Sequence, residues 1–357
     1  MVDDNTVLVT GGAGFIGAHL ALGFKEHHPG VRVVALDNLK RRGSELNLAR
    51  LADGGVEFVH GDVRVPGDLP PLKNLALIIE CSAEPSVLAG YGEAPGYVID
   101  SNLNGAIHCL ELARTTGAAM IFLSTSRVYP IKRLRNIALQ ETETRLEVLP
   151  DQSQPGITTD GIDETFPLDG ARSLYGATKY AAELFISEYA AMYELRAIVN
   201  RCGVVAGPWQ MGRVDQGIMA LWVSRHLFRG ALSYIGFGGR GKQVRDMLHV
   251  QDLLELILLQ AARMDTLQGM TFNAGGGVGN SISLLELTQL CRQATGIDIP
   301  ISSNPEDRPA DIPYYVTNNA LLQSNCDWSP RRNLEVIADD TARWITDNRR
   351  VLEKILG

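Results

Sequence analysis

Short, almost purely apolar runs recur along the first 200 residues, each followed by a stretch with helical spacing. Residues 7–9, 31–36, 56–59, 75–79, 120–124 and 196–200 read as strands. Their unbroken apolar character marks strands covered on both faces, as in parallel sheets. Between them, residues 15–24, 102–114 and 175–193 carry apolar positions at the 3.6-residue period of a helix. Strands alternating with helices through right-handed crossovers predict an α/β fold built on a doubly wound parallel sheet of the Rossmann type.

Two segments depart from that rhythm. Residues 131–170 are polar and rich in Pro, Gly, Asp and Thr, too long for an ordinary connection, and loops of that length are usually functional or mobile. Beyond Gly207 the alternation weakens into short apolar helices and glycine-rich turns. This predicts a smaller C-terminal α/β substrate-binding lobe: residues 1–200 form the Rossmann domain, to which the chain returns around 245–275, and residues 201–357 are mainly the lobe. No repeat or low-complexity segment interrupts this division.

Composition narrows the class. The chain of 357 residues is 45% hydrophobic and 21% charged, as a globular protein with a sizeable core should be. A net charge of −8 argues against nucleic acid as a partner. Its five cysteines are odd in number, with neither C-x-x-C nor any metal-ligand spacing, and read as small buried hydrophobes in a reducing compartment, with no metal expected. The acidic start, Met1 to Asp4, runs straight into a strand-like run and is no signal peptide. The longest apolar stretch, residues 253–259, is short and holds Glu255, so no membrane span is expected. A cytoplasmic protein is the expectation.

Chemistry enters at VTGGAGFIG, residues 9–17. Gly12-x-Gly14-x-x-Gly17, extended upstream by Gly11, follows a strand, opens a helix, and is followed 20 residues after Gly17 by Asp37 at the end of the next strand. That context is the dinucleotide fingerprint: glycines let the backbone approach a pyrophosphate at a helix N-terminus, and the acid takes the ribose hydroxyls. Asp37 favours NAD, since a carboxylate repels a 2′-phosphate, against the pull of Lys40, Arg41 and Arg42 nearby. Phe15, Ile16 and Asn38 flank these positions, and HGDVR (60–64) adds Asp62, with Val63, as a partner for the adenine amine. Further on, LYGATKYAAELF sets Tyr175 and Lys179 four residues apart on one helical face. A free tyrosine ionises near pH 10, and a neighbouring ammonium lowers that value by stabilising the phenolate. Such a tyrosine can take a proton from a hydroxyl while the carbon gives hydride to NAD. STSRVYP (124–130) supplies hydroxyls at a strand C-terminus, where ligands of such sheets sit.

TGGAGFIG, Asp37, S-T-S-x-V-Y and Y-x-x-x-K together resemble the extended short-chain dehydrogenase/reductase family of nucleotide-sugar epimerases, dehydratases and decarboxylases, over essentially the whole chain. The resemblance implies that the catalytic hydroxyl lies three residues before Val128, on Thr125, that Tyr175 exchanges its proton, and that Lys179 binds the nicotinamide ribose. It also implies a homodimer or homotetramer, with residues 182–193 and the helix before residue 131 as interface candidates. Family dehydratases place an Asp-Glu pair after that threonine and decarboxylases keep a Glu. Here Ser126 and Arg127 stand instead, leaving epimerisation or simple oxidation.

ETETR (141–145), VDQG (214–217), GKQVRD (241–246), SLLEL (283–287), GPWQ (207–210) and DWSP (327–330) resemble one branch, the CDP-paratose (CDP-tyvelose) 2-epimerases. That branch implies a nucleotide-diphosphate sugar substrate, oxidation at C2 to a keto-sugar, and hydride return to the opposite face. Arg245 and Arg308 suit the diphosphate, because a guanidinium meets phosphate oxygens bidentately. Gln243, Gln210 and Gln216 are candidates for sugar or nucleotide contacts. Three departures border the expected pocket: Glu80-Cys81-Ser82-Ala83-Glu84 where family members often show an H-x-A-A-like segment, Pro130 in place of Gly after the V-Y pair, and Val204 in place of Asn. A UDP-sugar 4-epimerase shares every catalytic residue and is the rival expectation, with a net dehydrogenase and a silent NAD-binding module behind it.

Overall fold

The computed structural model describes residues 5–213 and 216–357. The expectations about Met1 to Asp4, and about Val214 and Asp215 of VDQG, lie outside them. In chain order, the elements that position the candidate site are β1 (Thr6–Thr10), α1 (Phe15–His27), β2 (Arg32–Asp37), β3 (Glu57–His60), β4 (Leu75–Glu80), α2 (Gly105–Thr116), β5 (Ala119–Thr125), α3 (Leu174–Tyr193), β6 (Ala197–Cys202), β7 (Val204–Ala206), β8 (Val244–His249), α4 (Val250–Ala262), β9 (Thr271–Ala274), β10 (Ser281–Ser283), α5 (Leu284–Thr295) and β11 (Tyr314–Tyr315).

Seven strands form the main sheet in the order β9-β6-β5-β4-β1-β2-β3. The β1–β2, β1–β4, β2–β3 and β4–β5 pairs are parallel. The expected doubly wound parallel sheet is therefore present, with its order reversing where β1 lies between β2 and β4. Every residue of β1, β5 and β6 is buried, which explains why they read as continuous apolar runs. Strand β3 is an edge with exposed ends, and its apolar signal is correspondingly the weakest.

Contacts divide the chain into two compact units. The first comprises Met1–Val128, Leu174–Arg201 and Leu253–Phe272, and the second Tyr129–Ser173, Cys202–Asp252 and Asn273–Gly357. Residues 129–173, expected to be part of the first region, group with the second unit. They are not a bare loop. A short helix (Ile131–Arg135) leads into two small hairpins, Leu139–Glu141 with Leu146–Val148 and Ile157–Thr158 with Gly161–Ile162. The second unit's own sheet joins β7, β8 and β10, with β11 also on β8; the β8–β10 pair is antiparallel. Among the described residues no helix is long and apolar enough to cross a membrane.

Candidate functional site

The first unit carries a cradle at the end of β1. Gly11 holds φ +61°, which a glycine adopts without strain, and a Cβ on Gly17 would lie 2.1 Å from the Gly11 carbonyl oxygen. Gly14 caps α1 with no side-chain bond, and no acidic residue occupies the first turn. The helix therefore presents unscreened N–H groups and the positive end of its dipole, the arrangement an anionic pyrophosphate needs. Phe15 and Ile16 open that helix. Asp37, at the end of β2, accepts from the Ala13 amide at 3.1 Å and the Leu39 amide at 2.8 Å, tying the turn to the strand end. Burial raises its carboxyl above the usual value, against the pull of those amides.

Asn38 donates to Asp62 at 2.9 Å, which brings two candidate adenine-end residues together. Asp62 is also clasped by Arg64, whose hydrogen bonds hold its carboxyl down at about 2 despite partial burial. Val63 is buried, and its carbonyl lies 2.7 Å from His108 Nδ1. Lys40 sits 2.9 Å over the Tyr97 ring, a cation–π contact that engages one of the charges that had pulled toward a 2′-phosphate. These residues fit NAD: the glycine backbone and α1 would hold its pyrophosphate, and Asp37 its ribose.

At the C-terminal ends of β4 and β5 stand the candidates for chemistry. Thr125 is the last residue of β5 and is buried; its hydroxyl accepts from the Arg127 amide at 3.2 Å. Helix α3 packs against the turn at Ser126–Val128. Tyr175 and Lys179 lie one turn apart at its start, and Thr178 between them donates to the Tyr175 carbonyl and accepts from Asn102. Lys179 is only 2% exposed, with its ammonium 3.2 Å from Glu80 Oε2 and 4.3 Å from the Phe122 ring centre. Glu80 is fully buried at the end of β4, and its Oε1 makes no hydrogen bond. Burial pushes its carboxyl above the usual range; Lys179, then the Ser82 amide and Thr10, pull the other way.

The other hydroxyls of STSRVYP are committed elsewhere. Ser124 donates to Glu183, one turn beyond Lys179 on α3, and Glu183 meets Arg201 of β6 at 2.7 Å with both side chains buried. Tyr129 donates to Asn273 at 2.8 Å inside the second unit. The sequence reading missed Glu183 and did not pair Arg201. A charged residue four positions beyond Lys179 on the same buried face was the available signal.

In the second unit, Arg245 and Arg308 converge. Arg245 Nη2 is 3.4 Å from Asp311 Oδ1 and 2.6 Å from the Ile312 carbonyl; Arg308 Nη2 is 3.5 Å from Asp311 Oδ2. A third guanidinium joins them, as Arg135 Nε donates to the Asp311 carbonyl at 2.9 Å. Gln243 and Gln210 each donate to a backbone carbonyl, of Ile235 and Val205, and each has a buried Oε1 with no hydrogen-bond partner. Gln216 exchanges backbone bonds with Arg213. Two motifs quoted for the branch bind each other instead of lying open: Arg145 of ETETR pairs with Glu286 of SLLEL at 2.6 Å, Thr144 also donates to Glu286, and Ser283 donates to the Thr144 carbonyl. Glu286 closes the capping box of α5, so this network is architectural.

Comparison with known proteins fits this geometry. The model of the NAD dependent epimerase/dehydratase family matches residues 7–275. The CDP-paratose 2-epimerase of Salmonella typhi is 31% identical over 332 residues, covering 91% of this chain and 94% of that protein. The UDP-glucose 4-epimerase of Erwinia amylovora is 27% identical, covering 96% and 98%. Among solved structures, the Thermus thermophilus UDP-glucose 4-epimerase in complex with NAD has a TM-score of 0.76 at 26% identity, covering 96% of this chain and 99% of that one. The chain belongs to the NAD dependent epimerase/dehydratase family, with NAD as its cofactor.

Proposed function

We propose that the protein is a nucleotide-sugar epimerase acting at C2 of a CDP-sugar of the paratose or tyvelose type. The observation that carries epimerisation is the pair after Thr125: Ser126 and Arg127 offer no carboxylate to run elimination of water. The choice of CDP and C2 is supported by the similarity to the Salmonella typhi enzyme over nearly the whole of both chains.

The first unit holds NAD and the reacting groups. Bound NAD supplies reversible hydride exchange with the sugar carbon. Thr125 holds the reacting hydroxyl. Tyr175 takes that hydroxyl's proton as the carbonyl forms and returns it as the alcohol is restored, so the proton count closes within a turnover. Lys179 stabilises the phenolate and binds the nicotinamide ribose. In the second unit Arg245 and Arg308 hold the diphosphate, in place of the Asp311 carboxylate they face now, and Gln210, Gln216 and Gln243 contact the sugar or base. The active form is a homodimer or homotetramer. Leu184, Phe185, Met192 and Tyr193 leave an apolar surface exposed on α3. A monomer by light scattering at micromolar concentration overturns that part.

The test is a thermal-shift panel with CDP, UDP, GDP and dTDP. A ligand that binds only the folded state stabilises it by about 2.7 kcal/mol at 100 times its dissociation constant. CDP should stand out, and CDP-paratose should then be converted with no net NADH. If UDP stands out, the UDP-sugar 4-epimerase reading takes over. Stoichiometric NADH would identify a net dehydrogenase instead.

A further inference from the structure

Glu80 has no role in the proposed chemistry, although it pairs with one of the residues that carry it. It is a fully buried carboxylate at the C-terminal end of β4. Its partner is neither a surface cation nor a structural arginine but Lys179, the ammonium assigned to Tyr175. A buried charge is tolerated where it is paired, and a carboxylate that merely filled space there would serve less well than an apolar residue.

We propose that Glu80 is a positioning residue of the reaction: as the counter-ion of Lys179 it fixes the ammonium and partly offsets its field, setting the pH at which Tyr175 ionises. This rests on the reading of Tyr175 and Lys179 as the acid–base pair. Epimerisation asks more of that pair than a one-way oxidation does, because the same tyrosine must accept a proton and give it back in one turnover. Lys179 and the positive nicotinamide both favour phenolate, and an over-stabilised phenolate is a poor acid on the return. Proton transfer in both directions is best served by an acidity near the working pH, which a compensating carboxylate restores.

The neighbouring charged groups are engaged elsewhere, beginning with Glu183 one turn along α3, which Arg201 holds at 2.7 Å. The Cys109 thiol of α2 also senses Glu80 and Lys179, and burial pushes it well above its usual value, so it stays neutral. On the other elements packed against α3, Tyr97 is covered by Lys40, Asp100 is bonded to Asn104, and His108 lies against the Val63 carbonyl. Glu111 is paired with Arg114. Arg127 stands on the turn that α3 packs against.

The experiment follows tyrosinate absorbance against pH in the NAD-loaded protein, with the Tyr175→Phe curve subtracted so that Tyr175 alone is read. No substrate is needed. In Glu80→Gln the Tyr175 midpoint should fall by about one pH unit, a tenfold rise in its ionisation constant, and Glu80→Asp should restore the native value. An unchanged or raised midpoint in Glu80→Gln overturns the proposal. If Glu80→Gln does not fold, Glu80→His takes its place with the same expected fall above neutral pH. Failure of both to fold makes Glu80 a folding requirement and overturns the proposal too. The native midpoint tests the acid–base reading separately: an ordinary value near 10 counts against Tyr175 as the base, whatever the variants do.

Discussion

Buried charge is handled differently in the two units. In the first, α3 carries Lys179 and Glu183 one turn apart on a face that is almost wholly inside, and each meets a partner from the sheet, Glu80 and Arg201. In the second, Arg145 and Glu286 pair at a site where both side chains are still about a quarter exposed, and Arg245 and Arg308 share one aspartate. Removing one member of a buried pair leaves an uncompensated charge with no water to turn to, whereas a half-exposed pair falls back on solvent. The buried pairs of the first unit should therefore resist substitution, and the Arg145–Glu286 pair of the second should tolerate it better.

Tyr175→Phe should have the largest effect of all and spare the fold. Loss of a general acid–base group slows turnover by about 10² to 10⁴-fold, while the urea midpoint and NAD content stay at native values. Turnover within tenfold of native removes the chemistry from the first unit. Arg201→Met comes next, with the opposite signature. It strands the buried Glu183 carboxylate, to which Ser124 still donates, and should cost about 3–5 kcal/mol in urea unfolding. A cost below about 1 kcal/mol would show that water reaches the pair and would break the contrast.

Arg145→Ala is the counterpart in the second unit. The guanidinium joins Glu286, the Ser281 carbonyl and the Ser281 hydroxyl, and the Arg145 and Glu286 side chains are both partly open to solvent, so about 1–2 kcal/mol is expected, with nucleotide affinity unchanged. A large loss of nucleotide binding at native stability would return ETETR to the list of recognition motifs.

That motif also shows where sequence reading ran out. Strands β1, β4, β5 and β6 were legible because each carries an unbroken apolar run through its buried middle. The glycine turn was legible because its chemistry is local. Residues 131–170 were read as a loop because their strands are two or three residues long, too short for an alternation to register. Glu80 stood out as a departure, yet its partner lies 99 residues away, and no spacing rule joins them. Glu183 was hidden in a helix read only for Tyr175 and Lys179. Thr144 and Arg145 looked like recognition residues because their partner, Glu286, is more than 140 residues on.

The smallest effect sharpens the comparison at the rim of the first unit. Asp62 is paired but not deep, its side chain being 14% exposed, and Arg64 holds its carboxyl at about 2 in the fold against about 3.9 in the unfolded chain. A carboxyl depressed on folding stabilises the native state above its unfolded value, and the benefit is lost as pH falls through the folded value. Native protein should therefore exceed Asp62→Asn in stability by a margin that is constant above about pH 4 and closes toward about pH 2. Solvent screening keeps that margin small. Urea midpoints for the two proteins across that range measure it directly. A margin that survives to pH 2 would mean that the hydrogen bond from Asn38, rather than charge, does the stabilising, and the rim would then behave like the interior.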